Sequence, residues 1–161
     1  NSFFDKDKEE FDKIVDEADA VVISDYDKGY LTTKDIEYIA SKHKLTFLDT
    51  KKRIDSWANK ISFIKINKEE YQRSYPLSPW LENKIIITLG GSGCQYQNRT
   101  FQVPKVDIKD VCGAGDTFLA GLVTKYVETS DINEAICFAN MCATVVVQKR
   151  GVATVTREEV G

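Results

Sequence analysis

Residues 110–122 read Asp-Val-Cys-Gly-Ala-Gly-Asp-Thr-Phe-Leu-Ala-Gly-Leu. A run of small residues ends in a carboxylate and passes at once into apolar positions at helical spacing. Gly113, Ala114 and Gly115 let the backbone turn so that several N–H groups converge, and the helix behind them adds the positive end of its dipole. Such a loop holds an anion. Asp116, at the join, has two uses. It can cap the helix, the ordinary use of an aspartate there. Beside an anion hole it can also take the proton of an alcohol that attacks a phosphoryl group. The segment alone leaves both open.

Four other stretches carry chemistry-bearing residues. Thr-Leu-Gly-Gly-Ser-Gly at 88–93 offers Thr88, Gly90 and Gly93 either to a nucleotide or to a plain hairpin turn. It is neither a P-loop nor a dinucleotide-binding fingerprint. Asn67 and Glu70, in Asn-Lys-Glu-Glu, suit a helix capping box, and equally the oxygen shell of a hydrated Mg²⁺. Asp25 and Lys28 in Ser-Asp-Tyr-Asp-Lys-Gly, and Asp49 and Lys51 in Asp-Thr-Lys-Lys-Arg, could meet a sugar phosphate or stand as solvated loops.

The surrounding pattern must position these groups. Apolar, β-prone runs at 18–24, 45–50, 61–67 and 84–90 predict strands, the last followed by glycines. A charged helix at 5–18 is expected to place Phe4, Phe11, Ile14 and Val15 on one side, and a Thr-capped helix is expected at 32–43. Residues 93–104 predict a hairpin around Gln97-Asn98-Arg99. Two long helices follow at about 116–128 and 131–148, divided by Thr-Ser-Asp as a stop and a new cap. Strands alternating with helices predict a three-layer α/β/α architecture with a mainly parallel sheet, in one domain over 1–161. Sites in such sheets gather beyond the carboxyl ends of the strands, and those ends carry Asp25, Asp49, Asn67 and Gly90.

Composition narrows the class. The chain has 161 residues, 42% hydrophobic and 29% charged, which describes a globular protein with a core. The net charge of −3 implies no basic face, so nucleic acid is not an expected partner. There is no membrane-spanning apolar run and no signal-peptide pattern. Cys94, Cys112, Cys137 and Cys142 include no C-x-x-C pair, Cys137 and Cys142 fall in a helix expected to be buried, and one histidine makes a zinc site unexpected. Reduced thiols and a cytoplasmic location are the expectation. The first residue is Asn and the first pattern a polar helix, which suggests a chain cut from something longer.

Taken in order, Asp-Tyr-x-Lys-Gly, Asp-Thr-Lys, Asn-x-x-Glu, Thr-x-Gly-x-x-Gly and Gly-Ala-Gly-Asp resemble the ribokinase-like family of carbohydrate kinases, from about residue 19 to the end. Asp25-Tyr26-x-Lys28-Gly29 and Asp110-Val111 look most like its heptose 7-phosphate kinase branch, which stands alone or is fused to an adenylyltransferase as ADP-heptose synthase. The resemblance implies an ATP-dependent sugar kinase, phosphorylating the anomeric hydroxyl of a heptose 7-phosphate on the way to lipopolysaccharide precursors. It implies Asp116 as the base and Gly113, Ala114 and Gly115 as the anion hole. Asn67 and Glu70 would organise Mg²⁺ through water, Thr88, Gly90 and Gly93 would lie along the nucleotide, and Asn140 would sit near the adenine. Asp110 and the loop at 149–154 resemble a monovalent-cation site, for an ion such as K⁺.

Two departures stand out. Cys112 replaces a threonine common in the family, and the family's amino-terminal strands, Gly-Gly sugar-binding motif and lid have no counterpart. The chain therefore reads as the nucleotide-binding, catalytic half of a kinase. An exposed apolar sheet edge is expected where the missing strands belong, and with it a homodimer. The alternatives are another ribokinase-like sugar kinase, or a nucleotide-binding fragment without catalysis of its own.

Overall fold

Parallel strands and helices alternate through the first half of the chain in the computed structural model, which describes residues 8–25, 31–103 and 114–147. Two compact units emerge, Asn1–Thr88 with Tyr96–Asn98, and Leu89–Gln95 with Arg99–Gly161.

The first unit runs α1 (Lys8–Glu17), β1 (Val21–Asp25), α2 (Thr33–Lys42), β2 (Thr46–Thr50), a 3₁₀ turn at Ser56–Ala58, β3 (Phe63–Asn67), α3 (Lys68–Ser74), α4 (Pro79–Glu82) and β4 (Ile85–Thr88). All three strand pairs within β1–β4 are parallel, and their register sets Asp25 opposite Thr50, Asp49 opposite Lys65 and Asn67 opposite Thr88. These strands hydrogen-bond in chain order, with β1 at one edge and Val22 45% exposed on it. β2 is buried on both faces, as its near-continuous burial shows, whereas β1 alternates buried and exposed positions. Ile23, Leu48, Ile64, Ile66 and Ile85 pack with Ile36 and Ile39 of α2 in one core cluster. Each such side chain contributes about 1.5–3 kcal/mol on burial.

Helix starts follow their caps. Thr32 and Asp35 close a reciprocal capping box on α2, with the Thr32 N–H donating to Asp35 Oδ2 at 2.9 Å and the Asp35 N–H to Thr32 Oγ1 at 3.1 Å. His43 ends the same helix and is fully engaged: Nε2 donates to the Ala18 carbonyl at 2.7 Å and Nδ1 accepts the Leu45 N–H at 2.9 Å. On α1, Val15 is buried and Phe11 packs on the core, but Ile14 is 61% exposed. The expectation that Ile14 joins them fails because Tyr38 of α2 donates to Asp12 Oδ1 at 2.7 Å. That contact turns the 11–12–15 side inward and leaves Ile14 on the far flank. Phe4 lies outside the described residues.

Two short strands and two long helices follow: β5 (Cys94–Tyr96), β6 (Arg99–Phe101), α5 (Ala114–Thr129) and α6 (Ile132–Val147). Gln97 and Asn98, at φ 50 and 66, form a two-residue hairpin turn, so Arg99 belongs to the strand rather than to the turn. In the second unit α5 and α6 approach closely at Gly121, where a Cβ would lie 3.1 Å from Cys142 Sγ. Cys142 is buried there, whereas Cys137 is exposed, contrary to its expected burial. Cys137 lies between the buried positions Ile136 and Ala139 on the solvent side of α6. Ser130, at φ 57, stops α5, and Asp131 Oδ1 caps α6 by accepting from Asn133 at 2.9 Å and Glu134 at 3.2 Å.

Candidate active site

In the first unit the carboxyl ends of β1, β2 and β3 gather five of the expected residues. Asp25 ends β1 and is buried; its Oδ2 accepts the Thr50 hydroxyl at 2.9 Å and pairs with Lys52 Nζ at 3.1 Å. Asp49, on β2, pairs with Lys65 Nζ at 3.1 Å across the β2–β3 register. Burial pushes the Asp49 carboxyl above the usual carboxylate range; the Lys65 ammonium opposes that shift and the Glu70 charge adds to it.

Asn67 and Glu70 sit where β3 passes into α3. Asn67 Oδ1 accepts the Glu70 N–H at 2.8 Å, and Glu70 Oε1 accepts the Asn67 N–H at 2.9 Å. The pair is thus a complete capping box. It leaves Glu70 Oε2 buried and outside the capping box. Lys51 Nζ lies 2.9 Å from that oxygen. The contact is a close ion pair. Contact with Glu70 is the main reason the Lys51 ammonium holds its proton more tightly than usual, partly offset by burial. Thr88, at the end of β4, spends its hydroxyl on the Ile66 carbonyl at 3.4 Å.

The second unit holds the remaining described positions. Gly90, at φ +60, has nothing within 4 Å of where a Cβ would be, so its backbone borders open space. Gly93, at φ +94, is there for a different reason: a Cβ would fall 1.9 Å from the Phe101 carbonyl oxygen. Asn140 is buried on α6, with Nδ2 donating to that same Phe101 oxygen at 3.3 Å. Its amide also hydrogen-bonds the Cys94 thiol, whose pKa burial pushes up to about 12.

α5 begins at Ala114, two residues before the expected start. Ala114 and Gly115 therefore belong to the first helical turn, whose N–H groups have no carbonyl to bond within the helix. Asp116 stands exposed in that turn. Gly113, Lys28, Asp110 and the 149–154 loop lie outside the described residues.

A family model described as pfkB family carbohydrate kinase matches residues 1–159. The chain belongs to that family. Among curated relatives, the bifunctional protein HldE of a Nitratiruptor species is 32% identical over 169 residues, 93% of this chain and 37% of that protein. The bifunctional protein HldE of Aliarcobacter butzleri is 34% identical over 172 residues, 92% of this chain and 36% of that protein. The pfkB-family chain thus spans little more than a third of the length of these relatives. Adenosine kinase from Schistosoma mansoni superposes with a TM-score of 0.73 at 16% identity, over 96% of this chain and 57% of that one. Ribokinase from Thermotoga maritima does so with 0.71 at 19% identity, over 88% and 55%. The expected ribokinase-like α/β fold is borne out.

Sequence reasoning missed the partners. Lys52 and Thr50 on Asp25, and Lys65 on Asp49, are as much a part of the cluster as the residues singled out. One signal was available: Lys65 interrupts the apolar run Phe63–Asn67, and a lysine inside a buried strand demands a carboxylate.

Proposed function

We propose that the full protein carrying this chain transfers the γ-phosphoryl group of ATP to a sugar hydroxyl, the anomeric hydroxyl of a heptose 7-phosphate. The observation that carries the reading is Asp116, an exposed carboxylate in the first turn of α5 beside that turn's N–H groups, in a chain of the pfkB carbohydrate kinase family. Asp25-Tyr26-x-Lys28-Gly29 and Asp110-Val111, which resemble the heptose 7-phosphate kinase branch, support that acceptor.

In this reading Asp116 accepts the proton of the attacking hydroxyl. The N–H groups of Gly113, Ala114 and Gly115 stabilise negative charge on the transferring group, so catalysis is positioning and electrostatics. Thr88, Gly90 and Gly93 line the nucleotide, and Asn140 serves the adenine end by holding the Phe101 carbonyl in place. Asp25, Lys28, Asp49 and Lys51 form the sugar-phosphate side.

A divalent cation fits the residues present: Glu70 Oε2 is a buried carboxylate oxygen whose counter-charge among the described residues is the half-exposed Lys51 ammonium. Glu70, with Asn67, would hold hydrated Mg²⁺, which would neutralise the phosphates. Asn67 Oδ1 is already engaged by the Glu70 N–H, so its share is through water. Asp110 is the proposed contact of a monovalent cation such as K⁺. We assign the protein to the cytoplasm, as a homodimer acting on small molecules; among the described residues no helix is long and apolar enough to cross a membrane.

The test is Asp116→Asn in the full-length protein, assayed with ATP and heptose 7-phosphate. Turnover falls by about 10²–10⁴-fold while nucleotide affinity stays within about threefold. Undiminished turnover removes Asp116 from the role of base. Wild-type turnover of a different sugar and not of heptose 7-phosphate would replace the acceptor and keep the kinase.

A further inference from the structure

The two oxygens of Glu70 are held by partners of different permanence. Oε1 is tied to the backbone of its own helix start, accepting the Asn67 N–H at 2.9 Å, and Asn67 Oδ1 returns the bond at 2.8 Å. That closed ring locates the carboxylate whatever else is bound. Among the described residues, Oε2 is met by Lys51 Nζ alone, 2.9 Å away in an ion pair.

Lys51 differs from its neighbours. Lys52 and Lys65 each have side chains 12% exposed and are held at 3.1 Å by Asp25 and Asp49, carboxylates that are themselves largely buried. The Lys51 side chain is 49% exposed, against 5% for Glu70. A buried carboxylate left without counter-charge is costly, so Glu70 needs a cation at all times. An ammonium on a flexible four-carbon stem, still half in water, can leave at small cost, which the two pinned lysines cannot.

We propose that Lys51 is a displaceable counter-ion: it holds Glu70 Oε2 until a hydrated divalent cation arrives with the nucleotide, then yields that oxygen and turns to the phosphates. This rests on the reading of the site as one for Mg²⁺ and ATP. Before nucleotide binds, Lys51 is a positioning residue that acts through Glu70; once released it is a phosphate-binding residue.

The experiment titrates Mn²⁺ into the full-length protein without nucleotide, counting free Mn²⁺ by its paramagnetic resonance signal. Lys51→Met removes the competing charge, and Mn²⁺ binds on the order of tenfold more tightly than to the wild type. Lys51→Arg keeps the charge and stays within about twofold of the wild type. In the Glu70→Gln background the gain disappears. With saturating sugar, Lys51→Met raises KM for Mg²⁺·ATP by a larger factor than it lowers kcat.

Unchanged or weaker Mn²⁺ binding in Lys51→Met overturns the proposal, as does the same gain without Glu70. If Lys51→Met does not fold by circular dichroism, Lys51→Gln carries the same comparison. A wild type that phosphorylates sugar while Lys51→Met shows no Mn²⁺ gain sinks the counter-ion alone. A wild type with no kinase activity sinks the functional reading, and the nucleotide-free Mn²⁺ comparison still decides the counter-ion.

Discussion

Replacing Gly93 by alanine places a methyl carbon 1.9 Å from the Phe101 carbonyl oxygen, 3.0 Å from its carbon and 3.1 Å from Gln102 Cα. A carbon–oxygen contact needs about 3.2 Å, so backbone on one side or the other must retreat by more than about 1 Å. No flexible side chain can give way, because all three atoms are main chain. The conformation itself, φ 94 and ψ −134, is one that an L-residue holds only under strain of about 1–3 kcal/mol. Retreat also disturbs two hydrogen bonds, Leu89 N–H to the Gly93 carbonyl at 2.8 Å and Asn140 Nδ2 to the Phe101 carbonyl at 3.3 Å. Each is worth about 1 kcal/mol. The expected loss is about 3–5 kcal/mol, read from urea unfolding of the full-length protein. Gly90→Ala is the control: φ is +60 but nothing lies within 4 Å, so the loss is only about 1 kcal/mol. Equal losses for the two variants, or a Gly93→Ala loss under about 1 kcal/mol, would refute the argument from close approach.

Two further outcomes follow from burial. Burial raises the folded-state pKa of Asp49. Its contribution to stability is therefore full below the unfolded pKa of about 3.9 and is lost as pH rises through the higher folded value. Asp49→Asn removes that loss, so the stability of the variant relative to wild type increases as pH rises above about 4, on top of any constant offset from Lys65. A relative stability that falls over that window contradicts the shift. Among the described cysteines, Cys94 is buried with its thiol pushed up to about 12, while Cys137 is exposed. Iodoacetamide should alkylate Cys137 at least about tenfold faster than Cys94 in the native protein; comparable labelling on peptide mapping would refute that burial.

Much of this was legible in the chain. The strand runs, the Thr32 cap, the Ser130–Asp131 break and the hairpin are local signals, each carried by residues within a few positions of one another. The Asn67–Glu70 pair was readable as a capping box or as a cation shell, and the fold makes it the first while leaving one oxygen for the second. Periodicity misjudged Ile14 and Cys137, because an apolar residue near the rim of a helical stripe faces inward or outward according to the neighbouring helix. α5 began two residues early because small residues continue a helix as readily as they end a loop.

The sequence by itself determined the strand runs, the capped starts of α2, α3 and α6, the family, and which carboxylates and glycines stand at strand and helix ends. Those features depend on residue type and short spacing. Only the tertiary structure decided who answers whom: Lys52 and Thr50 to Asp25, Lys65 to Asp49, Lys51 to Glu70, and Gly93 and Asn140 to one carbonyl of Phe101. Partners as far as 39 residues apart are set by strand register and helix packing. Whether a charged group is a solvated loop residue or part of a buried network depends on that register alone.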